Sequence, residues 1–342
     1  MNGKRLIVIA AAVLAAAVSL TACSSASKGN PVKLRGAGAS FPEPLYLQWF
    51  TSYNAAHPNI RVEYKSVGSS SGINRFMDKT VDFAASDAAM KPEDKAKVDG
   101  GVQLIPMTAG SIVLAYNLRE IPNLRLSRSA YIGIFSGKVT KWNDPLITKA
   151  NPNVKLPDQP ISVIVRADGS GTTYVFTRHL STISPMFEKT VGVNEKPRWP
   201  VGTSATGNDG VTESVMTTPG AIGYVQYGYA ASQDVPMMTL ENKSGSYVTP
   251  SIEAARVALA SAEMPPDMIA WVPDPVGKEA YPIVAYTWMI LHKKYDSKQK
   301  LDALRGLIDY ALTDGQKESE SLGYVPLPAE VAAKVKAAVD AL

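Results

Sequence analysis

Three times within its first 180 residues, this chain runs from a β-type segment through a glycine- and serine-rich loop into a helical one. The longest loop is Arg166-Ala167-Asp168-Gly169-Ser170-Gly171-Thr172-Thr173, between Ile161-Ser162-Val163-Ile164-Val165 and the helical opening Tyr174 to Leu180. Gly36-Ala37-Gly38-Ala39-Ser40-Phe41-Pro42 follows Val32-Lys33-Leu34 and precedes a stretch where Leu45, Trp49 and Tyr53 share one helix face. Gly68-Ser69-Ser70-Ser71-Gly72 follows the alternating run Ile60 to Tyr64 and precedes Ile73 to Met77. A strand that ends at a helix N-terminus presents free N–H groups and the positive end of the helix dipole. Glycine lets the backbone approach a ligand, the hydroxyls donate, and Arg166 adds a charged fork. One such loop reads as an ordinary helix cap. Three of them, one carrying an arginine, read as loops converging on a single oxyanion.

The alternation continues along the chain. Val102 to Pro106 and Ser111 to Tyr116 read as apolar strands, and Ser129 to Phe135 as a short helix. Ala221 to Val225 and Ile283 to Leu291 read as buried strands, and Ala329 to Val339 as an amphipathic helix. Alternating elements of this kind predict an α/β fold with largely parallel sheets, whose ligands sit beyond the carboxyl ends of the strands. A cleft between two lobes would bring loops from the early and middle chain together.

The N-terminus fixes the compartment. Lys4 and Arg5 precede an apolar run from Leu6 to Leu20, too short for a comfortable membrane span, so the segment reads as an export signal. Leu20-Thr21-Ala22-Cys23 resembles the bacterial lipobox, which implies cleavage after residue 22 and a diacylglycerol on Cys23. Cys23 is the only cysteine, so no internal disulfide competes for it. Residues 23–30 then form a tether. Loss of Lys4 and Arg5 lowers the +4 net charge by two, and no basic run of five occurs, so nucleic acid is not an expected partner. No later segment has about 18 consecutive apolar residues. There is no G-x-x-x-x-G-K-[ST] loop and no H-E-x-x-H among the three histidines, so neither ATP hydrolysis nor a metal site is expected, and no cofactor is required.

Several of these segments together resemble the phosphate-binding protein of the bacterial phosphate-specific ABC transporter. They are Gly36 to Pro42, Gly68-Ser69-Ser70, Asp82-Phe83-Ala84-Ala85-Ser86-Asp87-Ala88 and Arg166 to Thr172. Lys141-Trp142-Asn143-Asp144, Gly207-Asn208-Asp209-Gly210 and Pro219 to Val225 follow in the family's order, so the resemblance runs from about Leu34 to the C-terminus. It implies a two-lobed periplasmic-binding-protein type II fold. Residues 31–112 with 286–342 would form one lobe, and 113–285 the other, with the ligand cleft between them. It also implies a monomeric, lipid-anchored extracytoplasmic receptor that passes phosphate to membrane permease subunits. On the matching positions, Ser40, the backbone of Phe41, and Ser69 would hold phosphate, with Ser70 able to share that task. Arg166 would pair with phosphate oxygens, Asp168 would orient Arg166, and Ser170, Gly171 and Thr172 would donate. Ser71 stands where the family often has glycine, and Ser40 where threonine is frequent. Both keep small or hydroxyl chemistry.

Asp87 has two readings. By spacing alone it is a helix N-cap before Ala88-Ala89-Met90. By the family pattern it accepts a hydrogen bond from a protonated phosphate oxygen, a bond that sulfate cannot offer at neutral pH. The rival outside transport is a serine hydrolase, because Gly68-Ser69-Ser70-Ser71-Gly72 matches G-x-S-x-G between a strand and a helix. His179 and His292 are its only later histidines, and His292 reads as a surface residue. A phosphate sensor or adhesin on the same fold would share every site residue.

Overall fold

The computed structural model describes residues 31–342 apart from Arg119; the export signal, Cys23 and the tether lie outside the described residues. Eleven strands are present in this part: β1 (Val32–Gly38), β2 (Ile60–Ser66), β3 (Phe83–Ser86), β4 (Val102–Tyr116), β5 (Arg125–Leu126), β6 (Ser162–Arg166), β7 (Thr203–Ala205), β8 (Ala221–Gln226), β9 (Thr239–Glu241), β10 (Tyr247–Val248) and β11 (Val284–His292). Eight of them form one sheet in the order β2-β1-β3-β11-β4-β8-β6-β7, while β10, β9 and β5 form a small second sheet.

The flanks of the large sheet are parallel, as the α/β pattern predicts: β1 with β2 and β3, and β6 with β7 and β8. Its centre is antiparallel, which departs from the largely parallel expectation. The departure has two sources: β11, arriving from late in the chain, inserts between β3 and β4 and runs opposite to both, and β8 runs opposite to the second part of β4.

The two apolar runs expected at 102–106 and 111–116 are one fifteen-residue strand. Pro106 and Gly110 look like breaks in the sequence, but the ladder accommodates the proline with a bulge. Trp288 faces Pro106 and Thr287 faces Thr108, leaving Met107 as the extra residue. Along β4 the partner then changes. Residues up to Ser111 pair with β11, and Ile112 to Tyr116 pair with β8. One strand therefore belongs to both halves of the sheet.

Helices cover these halves. The helix Glu43–Ala56 buries Leu45, Tyr46, Trp49, Phe50 and Tyr53, the face predicted from its spacing. Tyr46 and Phe50 also pack against Tyr64 of β2. In the other half, Phe176 of the helix Gly171–Ile183 stacks on Tyr224 of β8, with Phe135 edge-on to both rings. Burying such large rings stabilises each half by roughly 1.5–3 kcal/mol per side chain. Trp142 Nε1 donates to the Gly220 carbonyl at 3.0 Å, tying two of the sequence motifs together inside the core.

Candidate anion-binding site

The three glycine-serine loops meet. Each leaves the carboxyl end of its strand: Ser40 beyond β1, Ser69 beyond β2 and Arg166 to Thr172 at and beyond β6. Ser69 Oγ accepts from the Gly171 N–H at 3.0 Å, so the second loop touches the third directly. Two glycines make that approach feasible. A Cβ on Gly171 would lie 2.6 Å from Ser69 Oγ and 2.7 Å from the Asp87 backbone nitrogen. Gly68 has a φ of +84°, and a Cβ there would lie 2.4 Å from Asp168 Oδ2.

Arg166 is 4 % exposed and is held as a fork. Its Nε donates to Asp168 Oδ1 at 2.8 Å and one terminal nitrogen to Oδ2 at 2.5 Å. Asp168 also accepts from the Gly207 N–H at 3.2 Å. Burial works against its ionised form, but the bond and charge of Arg166 outweigh it and keep the carboxyl below its ordinary range. The other terminal nitrogen, Nη1, is buried without a hydrogen-bond partner. A buried guanidinium N–H left unmet costs a few kcal/mol, so its geometry calls for an external acceptor.

The remaining expected residues belong to the same cluster of converging loops. Ser40, Ser69, Asp87, Ser170 and Thr172 are all buried, and the Phe41 carbonyl accepts from Tyr324 Oη at 2.7 Å. Ser170 Oγ accepts from the Thr173 N–H, so this hydroxyl caps the helix while keeping its own proton to donate. Ser70 is only half-buried. Its N–H donates to the Gly169 carbonyl at 3.1 Å, and its hydroxyl lies beside the Glu195 carboxyl.

Asp87 caps no helix. Its Oδ1 accepts from Thr287 Oγ1 at 2.8 Å and its Oδ2 from Thr172 Oγ1 at 3.3 Å. Burial pushes its carboxyl up to about 7; the Thr287 bond, the Arg166 charge and the Thr172 bond oppose that rise, and Glu195 adds to it.

Four residues at or beside the site went unassigned in the sequence. Asn208 is the most connected: its N–H and Nδ2 both donate to Ser40 Oγ, at 3.0 and 2.9 Å, and Nδ2 also reaches Thr172 Oγ1 at 3.3 Å. Its Oδ1 accepts from the Gln226 N–H. Thr287 and Tyr224, whose hydroxyl accepts from the Arg166 N–H at 3.1 Å, complete the site, and Glu195 lies beside it next to Ser70. The motif containing Asn208 was legible, yet its role was not.

The hydrolase arrangement is absent among the described residues. His179 bonds Tyr131 Oη and the Pro273 carbonyl. His292, expected at the surface, is 7 % exposed and stacks on Phe76, because the end of β11 is covered by the second loop's helix. Neither histidine bonds a serine of the second loop. A cavity of about 470 Å³, lined by Glu43, Lys65, Gly68, Asp168, Gly207 and Asp209, opens beside Asp168 at the loop junction.

Strands of two half-sheets that deliver such loops to one buried point define a class, and residues 25–315 match the PBP superfamily domain. The phosphate-binding protein PstS of Pasteurella multocida is 38% identical over 308 residues, covering 89% of each chain. PstS of Xylella fastidiosa (strain 9a5c) is 36% identical over 318 residues, covering 92% of this chain and 86% of its own. The chain belongs to the PstS family of phosphate-binding proteins. Among solved structures, a high-affinity periplasmic phosphate-binding protein (PfluDING) bound with phosphate matches with a TM-score of 0.75. It is 20% identical and covers 90% of this chain and 93% of its own. A phosphate ABC transporter substrate-binding protein from Clostridium perfringens matches with a TM-score of 0.63 at 19% identity, covering 86% and 100%. At these identities the likeness speaks for the fold.

Proposed function

We propose that this protein is an extracytoplasmic receptor that encloses inorganic phosphate and hands it to the membrane permease of an ABC transporter, with no catalytic step of its own. The observation that carries the reading is the buried, unpartnered Nη1 of Arg166 on a loop that meets others whose Ser40, Ser69 and Thr172 side chains are themselves buried. Family membership supplies the ligand class. Arg166 and the hydroxyl and N–H donors of Ser40, Phe41, Ser69, Ser170, Gly171 and Thr172 bind the phosphate oxygens, Asp168 orients the fork, and Asp87 accepts the phosphate proton. Ser70 contributes at the rim.

The chain closes on its ligand as two lobes, 31–112 with 286–342 and 113–285. The change of partner along β4 at Ser111 and Ile112 supports that division. The mature chain is a monomer held to a bacterial membrane through lipidated Cys23, after removal of residues 1–22 and by way of the tether 23–30. Among the described residues, no helix is long and apolar enough to cross a membrane.

Calorimetric titration of residues 23–342 with phosphate, then sulfate, at neutral pH tests the receptor. Tight one-to-one phosphate binding without sulfate heat is expected, and absence of phosphate heat overturns it. Release of a Cys23→Ser chain from the membrane fraction tests the anchor.

A further inference from the structure

Glu195 lies between the helix Pro185–Thr190 and β7, and no part in holding phosphate falls to it. Its backbone carbonyl accepts from the Ser170 N–H at 2.9 Å, which fixes the residue against the third loop. Its side chain crosses to the second loop, where the Ser70 hydroxyl bears on the carboxyl. Ser70 in turn donates its N–H to the Gly169 carbonyl. Ser70 of the second loop, Gly169 and Ser170 of the third, and Glu195 thus form one seam beside the anion site, with Glu195 contributing at both ends of it.

The carboxyl in this seam is poorly provided for as an anion. Oε1 is buried and meets no hydrogen-bond donor. The charged groups that face it are few: Lys91, which favours the ionised form, Asp94, which opposes it, and Asp87, with which Glu195 is in mutual repulsion. Burial outweighs the Ser70 bond and the Lys91 charge, so the carboxyl lies above its ordinary range. A neutral carboxyl resolves these conflicts. It keeps a hydroxyl–carboxyl bond with Ser70, since either partner can then donate, and it removes a second negative charge from the neighbourhood of Asp87 and the incoming anion. With the lobes apart, Ser70 and the third loop would separate, and water would solvate an ordinary glutamate.

We propose that Glu195 closes this seam as a neutral carboxylic acid, so that phosphate capture takes up a proton at this residue, separate from the proton carried by phosphate itself. The inference rests on the phosphate-receptor reading. Its sign follows from linkage. A carboxyl that binds its proton more tightly in the closed state adds affinity as pH falls toward the ordinary glutamate range, and loses that contribution as pH rises through its closed-state value. Glu195 is a positioning residue in this scheme, since it acts through Ser70 and the third loop.

The test is calorimetry of phosphate binding in buffers of different ionisation enthalpy, at mildly acidic pH, with wild type and Glu195→Gln. The dependence of the heat on buffer gives the number of protons taken up. Wild type should take up more protons than Glu195→Gln, which keeps phosphate binding because glutamine mimics the neutral acid. Equal uptake by both overturns the inference while leaving the receptor standing. No phosphate heat in wild type defeats the receptor reading instead. Should Glu195→Gln fail to fold, carbon NMR of wild type labelled only at glutamate carboxyls gives the same answer. One resonance moving to the protonated position on phosphate addition supports the inference, and its absence overturns it.

Discussion

The hydroxyl of Thr287 donates to Oδ1 of Asp87 at 2.8 Å across a sequence separation of 200 residues. Sheet register brings the pair together. Ser86, the last residue of β3, faces Trp288 in antiparallel β11, so one step further along both strands Asp87 meets Thr287. Thr172 holds the other oxygen, and the carboxylate is thereby aimed by two distant parts of the chain.

Asp87→Asn should erase much of the preference for phosphate over sulfate. An ionised Asp87 facing sulfate would be a buried charge with no proton to accept, whereas asparagine has a donor to offer either anion. Competition binding of the two anions checks this, and an unchanged ratio would remove Asp87 from the proton-acceptor role.

The same carboxyl makes the stability of the closed fold depend on pH. Its folded value of about 7 lies above the unfolded value of about 3.9, the reverse of a salt-bridged aspartate. The folded state therefore binds more protons between these values, and stability falls as pH climbs from about 4 to about 7, by at most about 4 kcal/mol. Thermal melts across that window should show wild type losing stability relative to Asp87→Asn. Parallel curves would refute the assignment.

Arg166→Lys tests the fork. Lysine keeps the charge but cannot satisfy Asp168 at two oxygens and reach a ligand with a third nitrogen. Phosphate affinity should drop by about 1.5–3 kcal/mol, roughly 10- to 150-fold, in line with loss of a charged hydrogen bond. Titration calorimetry reads it directly, and full retention would place the anion elsewhere.

Gly171→Ala separates closure from folding. The added methyl would press on Ser69 Oγ and the Asp87 backbone, which belong to the other half of the sheet. Phosphate binding should fall sharply while the ligand-free melting temperature changes little. Wild-type affinity would mean that the loops yield at no cost.

Asn208→Ala should lower both stability and affinity. It leaves the buried Gln226 N–H without its acceptor and Ser40 Oγ without the Nδ2 donor, while the backbone N–H of residue 208 still reaches it. An unmet buried group of this kind costs about 1–3 kcal/mol, readable as a shift in denaturant midpoint.

The sequence displayed the loops well, because glycine, serine and arginine advertise their chemistry locally. It hid whatever depends on register. Thr287 sits inside a buried apolar run and is marked by nothing until β11 pairs with β3. Asn208 and Glu195 sit among other polar residues, Asp209 for one and Asn194 and Lys196 for the other, in segments with no periodic signal, so only contact across the halves gives them meaning. Pro106 and Gly110 misdirected the strand boundaries, since a bulge cannot be told from a break without its partner strand. His292 looked exposed beside Lys293 and Lys294 because the ring that covers it, Phe76, lies more than 200 positions earlier.

The pairing of Arg166 with Asp168 has a consequence for the water this protein works in. The one guanidinium at the site is cancelled by a carboxylate 2.5 Å away, so an arriving anion meets oriented hydroxyls and amide N–H groups rather than a net positive field. Mobile ions screen charge over about 8 Å at physiological strength, yet they do little to dipoles fixed inside a closed, dry site. Affinity should then be nearly the same in dilute and in saline surroundings, and capture should proceed without long-range attraction, by collision and enclosure.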